Sequence, residues 1–274
     1  MEVSVFKPAN DRLRECIDCF YLLRQGEKDS SRYFSFPCIF TNLSALKGAK
    51  VIYSEAEISI EESNSIFQDF IIRKNLLNTC IVEYKGKVDE ITIFFKPLGI
   101  DHFPSLNEKI ISTNQFHACT FPSGQFRQWE KIFATELSTQ RIELLEKLLF
   151  QYWQPFEHPF LNKAMDVIDH FPSTTNEVLA GKLGISRKTL HSHFEKWLSV
   201  SPSGYRKIMR FRNSIKEKQK KSSFQNLTSL AHAMDFFDQS HMIKDFKSLT
   251  GHKPKDFFRK IQSPENSSIN WIFQ

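Results

Sequence analysis

Two stretches in the last third of the chain carry side chains of the type and spacing needed to read base edges. The first presents Arg187, Lys188, Thr189, His191 and Ser192. The second presents Gln239, Ser240, His241 and Lys244. Arg and Lys donate to guanine O6 and N7, and Gln bridges adenine N6 and N7. Each stretch follows a residue suited to cap a helix, Ser186 or Asp238. Each also holds an apolar pair four residues apart, Leu190 with Phe194 and Met242 with Phe246. On a helix such a pair shares one face, so the polar residues point away from it. Asp238, Lys196, Arg206, Arg210, Lys247 and Lys253 complete the candidate DNA-contact set.

Other chemistries find little support. His191 and His193 are two apart on a helix and point to opposite sides, so they cannot share one ion. Cys16 and Cys19 form a lone CxxC with no second Cys/His pair to complete a tetrahedral site; they are expected as small apolar residues of a short helix. Cys38 and Cys80 are the thiols a DNA-targeted enzyme would use, with plain core packing as the alternative. No P-loop, zinc signature or nucleophile elbow occurs. No catalytic residue, cofactor or metal is assigned.

The elements around these stretches repeat. Leu179-Ala180-Gly181-Lys182-Leu183-Gly184-Ile185 is echoed by Leu230-Ala231-His232-Ala233-Met234-Asp235-Phe236. Ser186, Leu190, Phe194, Pro202 and Tyr205 are then echoed by Asp238, Met242, Phe246, Pro254 and Phe257, every one 52 residues later. The turn needs a left-handed residue, Gly184 in the first copy and Asp235 in the second. A helix, a tight turn and a capped second helix make a helix-turn-helix, whose second helix enters the major groove. Thr174 with Glu177 reads as a capping box opening the first copy. Between the copies, Tyr205, Ile208, Met209, Phe211 and Ile215 form an apolar stripe on a basic helix over 202–221. Twenty helical residues span about 30 Å, close to the roughly 34 Å between successive major-groove faces. This helix is expected to be a strut between two readers.

Charge agrees. Residues 157–274 hold 19 Lys and Arg against 11 Asp and Glu, a balance of +8, whereas residues 1–156 balance to −2. A basic half is the footprint of a phosphate binder. With five Cys, all in the first half, and no basic, apolar leader, the chain is expected to be cytoplasmic, without membrane spans.

The C-terminal half resembles the AraC/XylS family of bacterial transcription regulators. The match is carried by Ala231, Phe236, Asp238-Gln239-Ser240, Phe246-Lys247, Gly251, Pro254 and Phe257. Asp235, Met242 and Phe257 replace the family's Gly, Phe and Tyr; in the first copy Ser192 stands for a common Arg and Ser199 for a common Gly. The resemblance implies double-stranded DNA as partner, with RNA polymerase a further candidate.

The first half reads as short strands: 33–36, 49–53, 70–72, 81–84 and 90–95, with Lys85-Gly86-Lys87 as a turn. A small barrel or sandwich follows. Phe95-Lys96-Pro97-Leu98-Gly99-Ile100, with Phe103, is similar to a segment of cupin-like domains attached to AraC-type regulators, which implies a sensing or dimerising role. Only His102 and His117 precede residue 157, so a cupin metal cluster is not expected. Helical period takes over at 123–153, with Ser138 as N-cap and a stripe of Ile142, Leu145, Leu148, Leu149 and Tyr152; this stripe packs on the barrel or forms a dimer seam. Pro155 and Pro159 mark a boundary.

The expected fold is α+β and multidomain. It comprises a cupin-like β-rich sensor or dimerisation domain (1–122), a helical linker region (123–155), an all-α AraC-type DNA-binding domain with two helix-turn-helix units (156–262) and a tail (263–274), loose unless Trp271 and Phe273 dock it. The function expected is a sequence-specific DNA-binding transcriptional regulator, with a small-molecule effector and a homodimer as candidates. A DNA-targeted enzyme such as a repair protein, or an architectural binder, is the alternative.

Overall fold

The computed structural model describes residues 1–274 apart from 55, 65–68, 74–76, 108–115, 120–125, 221–226, 235, 263–268 and 274. Asp235, expected in a left-handed turn, and Lys221 of the strut therefore lie outside the described residues.

The N-terminal half is built on two sheets. One has the order β1 (Glu2–Phe6), β2 (Ile17–Gln25), β9 (Val88–Phe95), β4 (Thr41–Lys47), β7 (Asp69–Arg73) and β10 (Phe116–Cys119). The other has the order β11 (Trp271–Phe273), β3 (Ser30–Ser35), β8 (Cys80–Lys85), β6 (Glu57–Glu62) and β5 (Ala49–Tyr53). Described pairings are antiparallel except β6 with β8.

The six-stranded sheet is a middle layer. From β2, Cys19, Tyr21 and Leu23 point into the space between the sheets, while Phe20 and Leu22 point the other way. That other face is covered by α3 (Phe126–Ala134) and α4 (Ser138–Tyr152), through Trp129, Phe133, Ile142, Leu145, Leu148 and Leu149. The α4 stripe is therefore buried within the chain, which removes it as a dimer seam. Arg141, 2% exposed, pins α4 to β9: Nη1 and Nη2 donate to Asp89 at 2.7 and 3.1 Å, and Nη2 also to the Phe133 carbonyl. Two caps fall one residue away from the expected places. Leu137, not Ser138, precedes α4, and Thr175, not Thr174, caps α6 (Asn176–Lys182) by accepting from Val178 N–H. The short helix α1 (Asp11–Cys16) ends at Cys16, so Cys19 is a strand residue, and a second short helix, α2 (Pro104–Asn107), follows β9.

The C-terminal half is helical: α5 (Leu161–His170), α6, α7 (Arg187–Leu198), α8 (Pro202–Lys220), α9 (Leu227–Ala233), α10 (Gln239–Thr250) and α11 (Pro254–Lys260). Its apolar core does not stop at the boundary. Phe36, Ile39 and Leu98 of the first half join the same cluster as Leu190, Phe211, Phe246 and Phe257, and the Phe36 and Phe257 rings meet edge to face at 4.9 Å. The tail is docked: β11 pairs with β3, and Trp271 is 4% exposed. No described helix is long and apolar enough to cross a membrane.

Candidate nucleic-acid interface

The two copies superpose residue on residue in their burial. Leu179 and Ala180 correspond to Leu230 and Ala231, Leu190 and Phe194 to Met242 and Phe246, and Tyr205 to Phe257, all buried. Gly184 takes the left-handed turn at φ 66°. Ser186 Oγ accepts Thr189 N–H at 3.0 Å, and Asp238 Oδ1 accepts His241 N–H at 2.7 Å. Both helices end on a left-handed residue at matched positions, Ser199 (φ 49°) and Gly251 (φ 74°). Only the second is relieved of the Cβ clash that conformation imposes.

The candidate reading residues face outward. Arg187, Lys188, His191, Ser192 and Lys196 on α7 are exposed, with Thr189 half-buried by its own cap; Asp238, Gln239, Ser240, Lys244, Lys247 and Lys253 around α10 are exposed too. His241 is partly exposed, its Nδ1 near Phe237 N–H and its Nε2 3.5 Å from Asp245. Phe237, two residues before α10, is 88% exposed.

Two expected contacts turn inward. Arg206 is 9% exposed and donates to Ser203 Oγ; burial, then the nearby Arg210, lowers its pKa. Arg210 donates to Asp245 at 3.2 Å and lies over the Phe236 ring. Both sit on α8, where the apolar stripe leaves no room for all the cations to face solvent. Lys207 reaches Asp245 and Ser248 as well. Asp245, 7% exposed, is thus a hub that locks α10 to the strut. Sequence reasoning missed it; the available signal was a lone acid on the apolar side of a reading helix. Nineteen residues make α8 about 28 Å long at 1.5 Å per residue.

His193 packs rather than reads. The Leu161 N–H donates to His158 Nδ1 at 3.1 Å, so the proton of a neutral His158 sits on Nε2, which donates to His193 Nδ1 at 3.1 Å. Burial, then His193 and Lys196, lowers the His158 pKa. The folded state favours neutral His158, so its contribution is complete above the ordinary histidine pKa and is lost as pH falls below it. Thermal melting is expected to drop between pH 7 and 5, and His158→Gln is expected to flatten that dependence; an unchanged slope would remove the pair from the account.

Among the described residues no group of three or more His, Cys, Asp or Glu is placed to hold a metal ion. Cys38 and Cys80 are buried, and burial raises the Cys80 pKa, the opposite of what a nucleophilic thiol needs.

This geometry has a counterpart in sequence. Residues 179–260 match a family model described as a helix-turn-helix domain. They form an AraC-type helix-turn-helix domain. An AraC-type domain is the DNA-binding part of a transcriptional regulator, and the repair-enzyme and architectural readings gain no support. No curated protein matches the chain in sequence. Among solved structures it is similar to ToxT from Vibrio cholerae, at 12% identity over 88% of this chain and 97% of that one, with a TM-score of 0.44. A second structure, of ToxT from Vibrio cholerae with an unsaturated fatty acid bound, gives 12% identity, 86% and 93% coverage and a TM-score of 0.45.

Proposed function

We propose that this chain is a cytoplasmic, non-enzymatic regulator that reads two successive major-groove faces of one promoter site, and that its N-terminal sandwich takes a small-molecule effector. The first part is carried by one observation: two matched, outward-facing helices are joined by a buried-anchored strut of about one helical repeat of DNA. Arg187, Lys188, Gln239 and Ser240, at the helix starts, read bases; Lys196, Lys244, Lys247 and Lys253 hold phosphates. RNA polymerase and a second copy of the chain are its further partners.

The effector reading rests on a cavity of about 80 Å³ between the sheets, walled by Tyr21, Tyr33, Asn42, Arg73, Tyr84 and Glu90 among others. Glu90 is satisfied by Tyr21, Tyr84 and Thr92 hydroxyls. Asn42 is 4% exposed, and its Oδ1 has no partner. At roughly 10–15 Å³ per water-sized site, the space holds on the order of five to eight non-hydrogen atoms, with a donor group facing Asn42.

The test is selection of bound sequences from random DNA, with and without small-molecule cell extract. One recovered site with two half-sites about one turn apart, bound with a steep salt dependence, is expected. Equal affinity for any duplex at physiological salt would overturn the regulator reading, and an extract without effect on binding would overturn the effector alone.

A further inference from the structure

The last segment of the chain is held on two sides at once. On one side, Trp271, Ile272 and Phe273 extend the five-stranded sheet at β3. The Trp271 ring lies 5.3 Å from Tyr33 and 6.4 Å from Tyr21, and Ile269, Asn270 and Trp271 line the sandwich cavity. On the other side, Trp271 exchanges both backbone hydrogen bonds with Gln262, just past α11, at 2.8 and 3.0 Å. Asn270 Oδ1 accepts from Arg212 of the strut at 2.6 Å. Arg212 in turn donates to the Phe36 and Pro37 carbonyls at 2.7 and 2.6 Å. The same few residues therefore wall the cavity, extend the sheet and grip the strut.

We propose that residues 269–273 are a clasp: a removable wall of the cavity whose seating fixes the DNA-binding helices on the sandwich. Two features make it removable: its strand is three residues long, and it lies at the edge of its sheet. Its seating leaves the reading residues exposed, so it sets their orientation without covering them. Two further contacts between the halves, Thr79 Oγ1 to the Leu249 carbonyl at 2.7 Å and the Phe36–Phe257 ring pair, fall on the second reader and its following helix. Release of the clasp therefore loosens the second reader's seat, and whatever fills the cavity against Trp271 tightens it. By linkage the two effects are reciprocal. The proposal takes the cavity from the effector reading, but the clasp itself stands without a ligand.

The experiment is amide hydrogen exchange on the full chain, on a chain lacking residues 269–274, and on Trp271→Ala. Deletion is expected to speed exchange at least tenfold in β3 and, together with it, in the C-terminal turn of α10 and in α11. A synthetic peptide of residues 269–274, added in trans, is expected to restore both. Faster exchange in β3 alone would reduce the segment to a local edge strand and overturn the proposal. So would unchanged exchange, or a full-length dimer whose tails swap between copies. Trp271→Ala keeps the backbone and tests the cavity wall if the deletion fails to fold, with the same paired loosening expected. None of these readouts uses an effector, so failure of the effector reading leaves them standing.

Discussion

Replacing Gln239 or Arg187 by alanine is expected to lower affinity for the selected site by about 1–3 kcal/mol each, the worth of one bidentate base contact. At 1.4 kcal/mol per tenfold this is roughly 5- to 150-fold. Both residues occupy the first position of a reading helix, directly after its cap, and both are exposed. Each substitution should relax discrimination at its own base step, about one DNA turn from the other. Affinity for random duplex should fall much less. Anisotropy titrations against the selected site, its single-base variants and random DNA separate these cases. An equal loss on every sequence would assign the residue to the phosphate backbone. Arg210→Ala provides the contrast: it strips the buried Asp245 of a partner and should act through folding of the strut joint rather than at any base.

The largest effect on stability is expected from Phe246→Ala, at about 3–5 kcal/mol. Phe246 is fully buried, and its ring meets Phe211 at 5.1 Å, Phe258 at 5.3 Å and Phe257 at 5.6 Å. Four Phe rings thus tie the second reader, the strut and the last helix together, one reason the chain uses 27 of them. Truncation leaves a hole that three flat rings on two elements cannot close. For a chain whose two halves share one core each kcal/mol shifts melting by roughly 2–4 °C, so melting is expected to fall by roughly 6–20 °C. Urea denaturation followed by far-UV circular dichroism measures it. A loss below about 1 kcal/mol would mean that the cluster can collapse around the gap.

The reading half was legible because its signal is repetition. Anchors such as Leu190 and Met242, or Pro202 and Pro254, recur at fixed spacing whatever surrounds them. What could not be read was which strut cations face DNA. Arg206 and Arg210 look like Lys196 in sequence; only the position of Asp245 and Ser203 in space turns them inward. The β half was less legible for a different reason. Strand β2 is buried on both faces by the second sheet and the α3–α4 layer, so Cys19 to Leu23 run apolar without a break and lose the alternation that marks a strand. The expected strands 33–36, 49–53, 70–72, 81–84 and 90–95 fall in β3, β5, β7, β8 and β9, where β-branched and aromatic residues cluster between turns. The seat of the tail depends on β3, 236 to 240 residues away, and no local pattern announces it.

The apolar cluster that runs from Phe36 and Ile39 through Phe257 to Ile272 makes the reader a poor module. Excised behind Pro155, it would leave the Phe257 face bare and its strut arginine, Arg212, without the carbonyls of Phe36 and Pro37. Grafting these helices onto a foreign sensor would therefore mean transplanting the Phe36–Ile39 loop with them. Lineages that shuffle such readers freely would need a different joint from this one. Here the two halves are bound to drift as a pair, because a change of side-chain volume at Phe36 is felt at Phe257 across the joint.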